Sequence, residues 1–433
     1  MEGTDPGPAL RALMAPREPL GVPCPAYDGR SLPNVTASVV RALGGEPSVA
    51  ALPPLADAID PFAGRRATGP VLLFVVDGLG YERLRAAARY RDGGSAGRWL
   101  GHATPITTVF PTTTTVALAS LSTASSPSRH GLVGYRQFLP RFGSVVDMLR
   151  LTPLGVTADD ALVGPGWTPA SVLGTPTVFR QGIAGAVVVS RDRFQGRGFT
   201  RAIYDGAEYE GYGAWADLAS ALVHALDRTA PPPLVMGYWD ELDTVEHLRG
   251  PDAASVDLEL DRLGVLLEFV ARSVPPATAR ATTVIVTADH GLVGIDPARQ
   301  VSLESEPAIA PLLGRPPTGD RRAALLKARD GEVDRLREAL LDRLPSGTRV
   351  FPSGEAARLG LFGPPPFHPE LAERAADLVA LVPSPAGITY TVPGRFPNPR
   401  VLLGAHGGLE LEELVVPLIA GSLADFSAPV STT

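Results

Sequence analysis

The sequence predicts an α/β fold in which a mostly parallel central sheet is covered by helices on both faces. Two observations support this prediction. Amphipathic stretches of helical length, such as SVDLELDRLGVLLEFVARSV, alternate with apolar, strand-like runs. Alternating strands and helices are typical of parallel sheets packed between helical layers. Five apolar runs rich in β-branched residues recur along the chain, at 71–76, 185–190, 232–239, 282–287 and 414–421.

The order of these segments predicts four parts of the chain. Residues 1–60 are rich in Pro, Gly and Ala and are interpreted as an N-terminal arm with one helix, NVTASVVRALGG, that ends at a glycine pair. Residues 61–300 hold most of the strand and helix pattern and form the first part of the catalytic core. Residues 301–400 break the pattern and are interpreted as an inserted cap subdomain. Residues 401–433 return to the core with its last strand.

Composition and charge exclude several classes of protein. Hydrophobic residues make up 45% and charged residues 20% of the 433 residues, which is typical of a globular chain. The net charge is −7, and the sequence has no polybasic run long enough to follow a phosphate backbone. We therefore expect no binding of nucleic-acid polymers. Cys24 is the only cysteine, which excludes a Cys-based zinc site. With no signal peptide and no apolar stretch of about 20 residues, we expect a cytoplasmic protein without a membrane span.

Three of the predicted strands end in acidic residues. In parallel sheets, functional groups gather just beyond the carboxyl ends of the strands, so these ends predict one cleft. A carboxylate placed there needs a cation or a hydrogen-bond donor. The residues at these ends are Asp77, Asp240, Asp243, Asp289 and His290.

Two further histidines are candidate metal ligands. Asp243 and His247 are four residues apart, so a helical turn after the strand places both side chains on one face, where they suit a shared divalent metal. Asp240 and Glu241 are expected to support the site or to be solvated rather than to bind the metal. His406 lies between small residues in GAHGG, where its imidazole can approach a metal.

The segment FPTTTTVALASLSTASSPSRHGLVGY adds a candidate nucleophile. Pro111 followed by threonines and an Ala/Leu-rich run predicts a helix N-terminus, with threonine hydroxyls accepting from free backbone amides. All four threonines could be capping or surface residues. Alternatively, one is a nucleophile, because a helix N-terminus stabilises an anion and a metal can hold the hydroxyl as an alkoxide.

Five motifs in order resemble a known family. VVDGLG, FPTTTT with RHGLVGY, DELDTVEHLRGP, TADHG and AHGG are similar to the alkaline phosphatase superfamily, specifically its nucleotide pyrophosphatase/phosphodiesterase branch. The resemblance spans about residues 70–300 and 400–420. It implies the alkaline-phosphatase-like α/β sandwich, which agrees with the strand pattern.

The resemblance implies two metal sites and a threonine nucleophile. Thr114 is the fifth residue from Phe110 in the family's FPT-x-T pattern; Thr113 and Thr115 remain alternatives. Mixed Asp and His ligands without Cys suit two zinc ions, and manganese or iron are not excluded. The residues implied are Asp77, Thr114, Asp289 and His290 around one metal and Asp243, His247 and His406 around the other.

The sequence departs from this branch near the nucleophile. Ala117 stands where the branch has an asparagine that holds a phosphate oxygen, and TAS at 123–125 replaces its T-G turn. Phosphate orientation is then expected to rest on backbone amides near Thr114 and Thr115. His130 belongs to a structural HG element, with direct catalysis as the alternative.

These observations predict a metal-dependent phosphoester hydrolase acting on a small-molecule substrate. A diester or nucleotide pyrophosphate is favoured over a monoester, because no Lys or Arg lies inside the motifs to neutralise a dianion. Arg129, Arg136, Arg249 or a cap arginine folded inward would change that preference.

Other functions remain open on the same residues. The alternatives are a phosphomonoesterase, a phosphonate hydrolase, a phosphotransferase, or a non-catalytic member of the superfamily. A sulfatase is disfavoured because its Cys- or Ser-derived formylglycine has no counterpart at Thr114. Tyr135, Tyr238 and Trp239 could stack a base, although each is expected to belong to the core.

Overall fold

The computed structural model describes residues 7–90, 102–391 and 401–427. Parts of the predicted arm, core, cap and last segment therefore lie outside the described residues. Within the described ranges, all five apolar runs form strands, as the sequence predicts.

Strands and helices alternate along most of the chain. The strands, numbered β1 to β18 in chain order, span Val71–Val76, Ala103–Thr107, Arg136–Leu139, Ser144–Asp147, Thr152–Pro153, Val187–Arg191, Glu208–Tyr212, Leu234–Trp239, Thr283–Thr287, Val293–Gly294, Gln300–Ser302, Thr318–Gly319, Ala323–Leu326, Arg349–Pro352, Leu378–Leu381, Gly387–Thr389, Gly404–Ala405 and Val415–Ser422. The α-helices of the described ranges span Gly7–Leu13, Leu32–Leu43, Tyr81–Tyr90, Thr114–Thr123, Pro127–His130, Gly198–Ile203, Trp215–Leu226, Glu241–Arg249, Ala254–Ser273, Pro276–Ala281, Val333–Arg343, Ser353–Arg358, Leu371–Ala375 and Leu411–Leu414.

The larger sheet is the predicted, mostly parallel one. Its strand order is β2-β18-β9-β1-β8-β6-β7. Within this order, the neighbouring strands β9, β1, β8, β6 and β7 run parallel to one another. Strand β18 is antiparallel to both β9 and β2. Every residue of β1 and β8 is buried, because both faces of the sheet are covered. This double coverage explains why the runs are continuously apolar rather than alternating.

Amphipathic helices cover the larger sheet, and their ends follow the sequence signals. The helix Leu32–Leu43 ends at Gly44, whose φ of 83° is left-handed, at the predicted glycine pair. The helices Trp215–Leu226 and Ala254–Ser273 bury Leu222 and Leu263 in the main core. None of the helices in the described ranges has both the length and the apolar character needed to cross a membrane.

A second seven-stranded sheet was not anticipated from the sequence. Its order is β14-β15-β13-β12-β3-β4-β5, and its paired strands are antiparallel. Strands β3 to β5 come from the predicted core, and β12 to β15 come from the predicted cap. Residues of the predicted arm, such as Val35, also belong to the main core. The division into arm, core and cap stays a prediction.

Candidate active site

Three neighbouring parallel strands end at one edge of the larger sheet. Strand β1 lies between β9 and β8, and all three run in the same direction. Asp77 follows β1, Asp240 follows β8, and Asp289 follows β9. The carboxyl ends of the strands therefore bring acidic side chains from distant parts of the chain to one place.

The first group of candidate residues surrounds Asp77. One ligand atom from each of Asp77, Asp289 and His290 lies within 4.8 Å of the others. His290 Nε2 lies 3.6 Å from Asp77 Oδ1 and 3.4 Å from Asp289 Oδ2. Thr114 Oγ1 is 3.1 Å from the same nitrogen. The backbone N–H of Gly78 donates to Asp289 Oδ1 over 3.2 Å and orients that carboxylate.

The second group consists of Asp243, His247 and His406. Asp243 and His247 lie on the helix Glu241–Arg249, and His247 Nε2 is 3.3 Å from Asp243 Oδ1. One ligand atom from each of the three residues lies within 4.8 Å of the others. The two groups adjoin, because the His406 ring stacks on the His290 ring with centroids 3.9 Å apart. All seven residues of the predicted ligand set thus come together.

Burial makes both kinds of charge unfavourable in this cluster. Desolvation raises the pKa of Asp77 well above its ordinary value, and repulsion from Asp289 and Asp243 adds to the shift. Desolvation likewise raises the pKa values of Asp243 and Asp289. It lowers the pKa values of His290 and His406. Such a cluster lacks positive charge, which is what a divalent cation brings.

The donor atoms fit divalent metals. Within the described part of the chain, Asp77 Oδ1, Asp243 Oδ1 and Asp289 Oδ2 are buried and receive no hydrogen bond. His247 Nδ1 lies 2.8 Å from the Gly404 carbonyl and His406 Nδ1 lies 3.0 Å from the Thr112 carbonyl. A histidine that donates through Nδ1 to a carbonyl keeps Nε2 available for a metal.

The four threonines differ in what their hydroxyls contact. Thr112 Oγ1 accepts from Gly407 N and donates to Gly408 O, and Thr115 Oγ1 donates to Gly134 O. Thr113 is the N-cap residue but makes no side-chain capping bond, which corrects the expected capping role. Only the Thr114 hydroxyl, among the four, contacts a predicted metal ligand.

Several other residues considered from the sequence have structural partners. Asp240 is held between Arg191 and Arg193, and Glu241 pairs with Arg191 and Arg262. Neither residue belongs to the two groups of possible metal ligands in the described part of the chain. Trp239 is fully buried in the core.

His130 and Arg129 also have structural partners. The Ser120 hydroxyl lies 2.8 Å from His130 Nε2, and the backbone N–H of Leu132 donates to Nδ1 over 3.1 Å. Burial lowers the pKa of His130 to about 3. Arg129 donates to backbone carbonyls, among them that of Ala50. Both side chains hold the fold in place.

A cavity of about 420 Å³ opens onto Thr114, Asp77 and Asp243. Its wall combines aromatic and aliphatic residues with as many charged ones, among them Arg150, Arg193 and Arg197. Tyr135 and Tyr238, which were expected to belong to the core with base stacking as the alternative, line it. Tyr238 is also buried in the main core, and its hydroxyl donates to Asp77 Oδ2. Lining residues that the sequence did not single out include Leu118, Leu149, Phe194, Phe199 and Tyr204.

The second sheet contributes a carboxylate that sequence reasoning missed. Asp320 follows β12 and places Oδ2 3.5 Å from His406 Nδ1. Burial raises its pKa. Its only sequence signal is a Gly-Asp turn before the short apolar run of β13, inside the segment interpreted as a cap.

Comparisons with known proteins agree with this geometry. A sequence model of the type I phosphodiesterase/nucleotide pyrophosphatase family matches residues 71–390. Murine ectonucleotide pyrophosphatase/phosphodiesterase 5 shares 18% identity at a TM-score of 0.59, over 81% of this chain and 87% of that chain. The human protein of the same name shares 16% identity at a TM-score of 0.57, over 81% of this chain and 87% of that chain. Phosphonoacetate hydrolase from Sinorhizobium meliloti, in complex with phosphonoformate, shares 19% identity at a TM-score of 0.58, over 82% of this chain and 91% of that chain. No curated protein matches the sequence.

The fold and the family match define a phosphoester hydrolase of the alkaline phosphatase superfamily. More particularly, the chain belongs to the type I phosphodiesterase/nucleotide pyrophosphatase family, whose sequence model covers well over half of it. The resemblance, the fold class and the enzyme class predicted from the sequence are therefore confirmed. The family is metal-dependent, and the cluster of Asp77, Asp289 and His290 could hold a metal.

Proposed function

We propose that the protein hydrolyses a small-molecule phosphodiester or nucleotide pyrophosphate through Thr114 and two divalent metals, most suitably zinc. The ligands proposed are Asp77, Thr114, Asp289 and His290 for one metal and Asp243, His247 and His406 for the other. The observation that carries the proposal is the position of the Thr114 hydroxyl, 3.1 Å from His290 Nε2 and at the wall of the cavity.

The charges of the site support this chemistry. Three carboxylates and a deprotonated threonine carry four negative charges, which two divalent ions balance. When bound, such ions would lower the pKa of the threonine hydroxyl and screen the charge of the phosphoryl oxygens. Thr114 lies at N1 of its helix, where the first backbone N–H groups lack intrahelical partners and can hold a phosphoryl oxygen.

The reaction has two balanced displacements. Thr114 Oγ1 forms a bond to phosphorus while the bond from phosphorus to the leaving oxygen breaks, and the hydroxyl proton is lost to solvent. Water then forms a bond to phosphorus and releases Thr114 with its hydroxyl restored. One structural neighbour is an inactive threonine-to-alanine variant of murine ectonucleotide pyrophosphatase/phosphodiesterase 5 in complex with AMP, which supports a threonine role in proteins of this fold.

Substituting the threonines tests the nucleophile. We expect Thr114→Ala to lower kcat on bis-p-nitrophenyl phosphate by about 10³-fold or more with metal content unchanged, because no other hydroxyl replaces the attacking group. Thr114→Ser should keep part of the activity, and Thr115→Ala serves as the matched control with nearly full activity. Full turnover in Thr114→Ala would disprove the assignment.

A substrate panel decides between the alternatives. Faster turnover of p-nitrophenyl phosphate than of the diester would favour a phosphomonoesterase, and phosphonate hydrolysis or phosphotransfer would be seen directly in the products. No turnover by metal-loaded protein on any of these substrates would favour a non-catalytic member. A cytoplasmic location also stays a prediction, which cell fractionation can check.

A further inference from the structure

The turn between β12 and β13 of the second sheet packs against the loop that carries His406. The backbone N–H of Asp320 donates to Ala323 O over 2.8 Å, and Asp320 Oδ1 accepts from Arg321 N over 2.7 Å, so the turn and its carboxylate are both held. A Cβ built on Gly407 lies 2.8 Å from Asp320 Cβ. The loop therefore needs a glycine directly after His406, because the Asp320 side chain occupies the space that a larger residue would fill.

The other oxygen of Asp320 faces a predicted metal ligand. Asp320 Oδ2 lies 3.5 Å from His406 Nδ1, whereas the Thr112 carbonyl lies 3.0 Å from the same nitrogen. The carbonyl is thus the closer acceptor and suffices to fix the ring. Asp320 Oδ2 is buried and has no hydrogen-bond partner among the residues that the structure describes. A buried carboxylate oxygen in this state is unfavourable unless a positive charge lies nearby.

The two groups of predicted metal ligands differ in their negative charge. The first group contains the carboxylates of Asp77 and Asp289, and the second contains that of Asp243 beside two imidazoles. A divalent ion in the second group would therefore keep an uncompensated positive charge if Asp243 alone opposed it. The Asp320 carboxylate touches this group through His406 and has the charge that would complete the balance.

We propose that Asp320 is a positioning residue that stabilises a divalent ion in the second group by its charge, acting through His406 without binding the ion. The inference rests on the proposed function, which places a metal in that group. A carboxylate beside the outer nitrogen of a metal-binding imidazole makes the ring a stronger donor, and its charge favours the nearby cation. The second sheet thereby takes part in metal binding, although all seven predicted ligands lie outside its strands.

Neutral substitutions of Asp320 test the role of its charge. Asp320→Asn keeps an oxygen that can accept from Arg321 N, so it removes the charge and preserves the turn. We expect it to weaken zinc binding to the second group by about tenfold to a hundredfold. At a buffered free zinc concentration that gives the wild-type protein two ions per chain, metal analysis should then find about one. Asp320→Ser, a smaller neutral residue that also offers an oxygen to the turn, should show the same loss.

Thermal unfolding separates the charge of Asp320 from a structural role. Without metal, the buried oxygen lacks a partner, so chelated Asp320→Asn should unfold at a Tm no lower than that of the chelated wild type, and added zinc should raise its Tm less. Asp377→Asn is the matched control, because Asp377 accepts from Lys327 Nζ and Ala328 N within the same sheet. Its loss should lower Tm with and without metal and leave zinc affinity unchanged. The same behaviour in Asp320→Asn would overturn the inference.

A His247→Ala background locates the effect. This change removes a ligand of the second group, so Asp320→Asn should weaken zinc binding no further there. An equal loss in both backgrounds would place the effect outside the second group and contradict the role of Asp320. If the wild-type protein binds two zinc ions and Asp320→Asn binds them equally well, this inference alone fails. If the wild-type protein binds fewer than two, the two-metal assignment of the proposed function fails as well.

Discussion

Thr112 holds the loop that carries His406, although its own hydroxyl does not reach the metal groups. Its carbonyl lies 3.0 Å from His406 Nδ1, while its hydroxyl accepts from Gly407 N over 2.9 Å and donates to Gly408 O over 3.0 Å. One residue thus fixes both the ring of His406 and the backbone of the two glycines that follow it. Loss of such a supporting contact commonly weakens metal affinity by about 10- to 100-fold.

We therefore expect Thr112→Val to weaken metal binding at the Asp243, His247 and His406 group by about tenfold, because the loop loses two hydrogen bonds. Metal titration followed by calorimetry measures the change. Thr115→Val is the matched control, since the Thr115 hydroxyl donates to Gly134 O and does not touch the ligand loop. Equal affinity in the Thr112 and Thr115 variants would contradict the role given to Thr112.

The turn after β1 sets the spacing between the sheet and the helix Glu241–Arg249. Gly78 has φ +86°, and a Cβ built there lies 3.0 Å from Asp243 Cα. We expect Gly78→Ala to push the start of this helix, and Asp243 with it, away from the Asp77 group and to lower kcat by about 10²-fold, since about 1 Å of misplacement costs that much. Left-handed strain adds a loss of stability of about 1 kcal/mol. Steady-state kinetics and thermal unfolding measure the two effects.

Gly64→Ala separates backbone strain from displacement of the ligand. Gly64 also has a left-handed φ, +76°, but a Cβ there meets nothing within 4 Å. This variant should lose a similar stability and keep its activity. If both variants keep full activity, the close approach of Gly78 to Asp243 does not position the ligand.

The strands of the larger sheet could be predicted because burial on both faces leaves a continuous apolar run, as in VLLFVV. The second sheet lacks this signal. Its strands span two to four residues, and β12 is only Thr318–Gly319. A pairing this short is decided by contacts distant in sequence, so the position of Asp320 could not be predicted. The ligand candidates could be predicted from the sequence because they follow long strands or occur in motifs.

At the scale of the whole molecule, the site forms only when distant parts of the chain fold together. Its residues range from Asp77, after β1, to His406, after β17. Asp320 adds a contact from the second sheet. An unfolded chain cannot gather such a set, so a metal that binds here binds the folded state and stabilises it.

Removing metal should therefore lower Tm. At a free metal concentration 100 times Kd, one site contributes about 2.7 kcal/mol to the free energy of unfolding. We expect the chelated protein to unfold at a Tm lower by about 2–4 °C or more, a shift reversed by added zinc and measurable by calorimetry. In Asp243→Asn the shift should shrink, because one of the two groups loses a charged ligand whose buried Oδ1 receives no hydrogen bond from the described residues. An identical Tm with and without chelator would show that neither group binds metal tightly, since a bound ligand selective for the folded state cannot leave its stability unchanged.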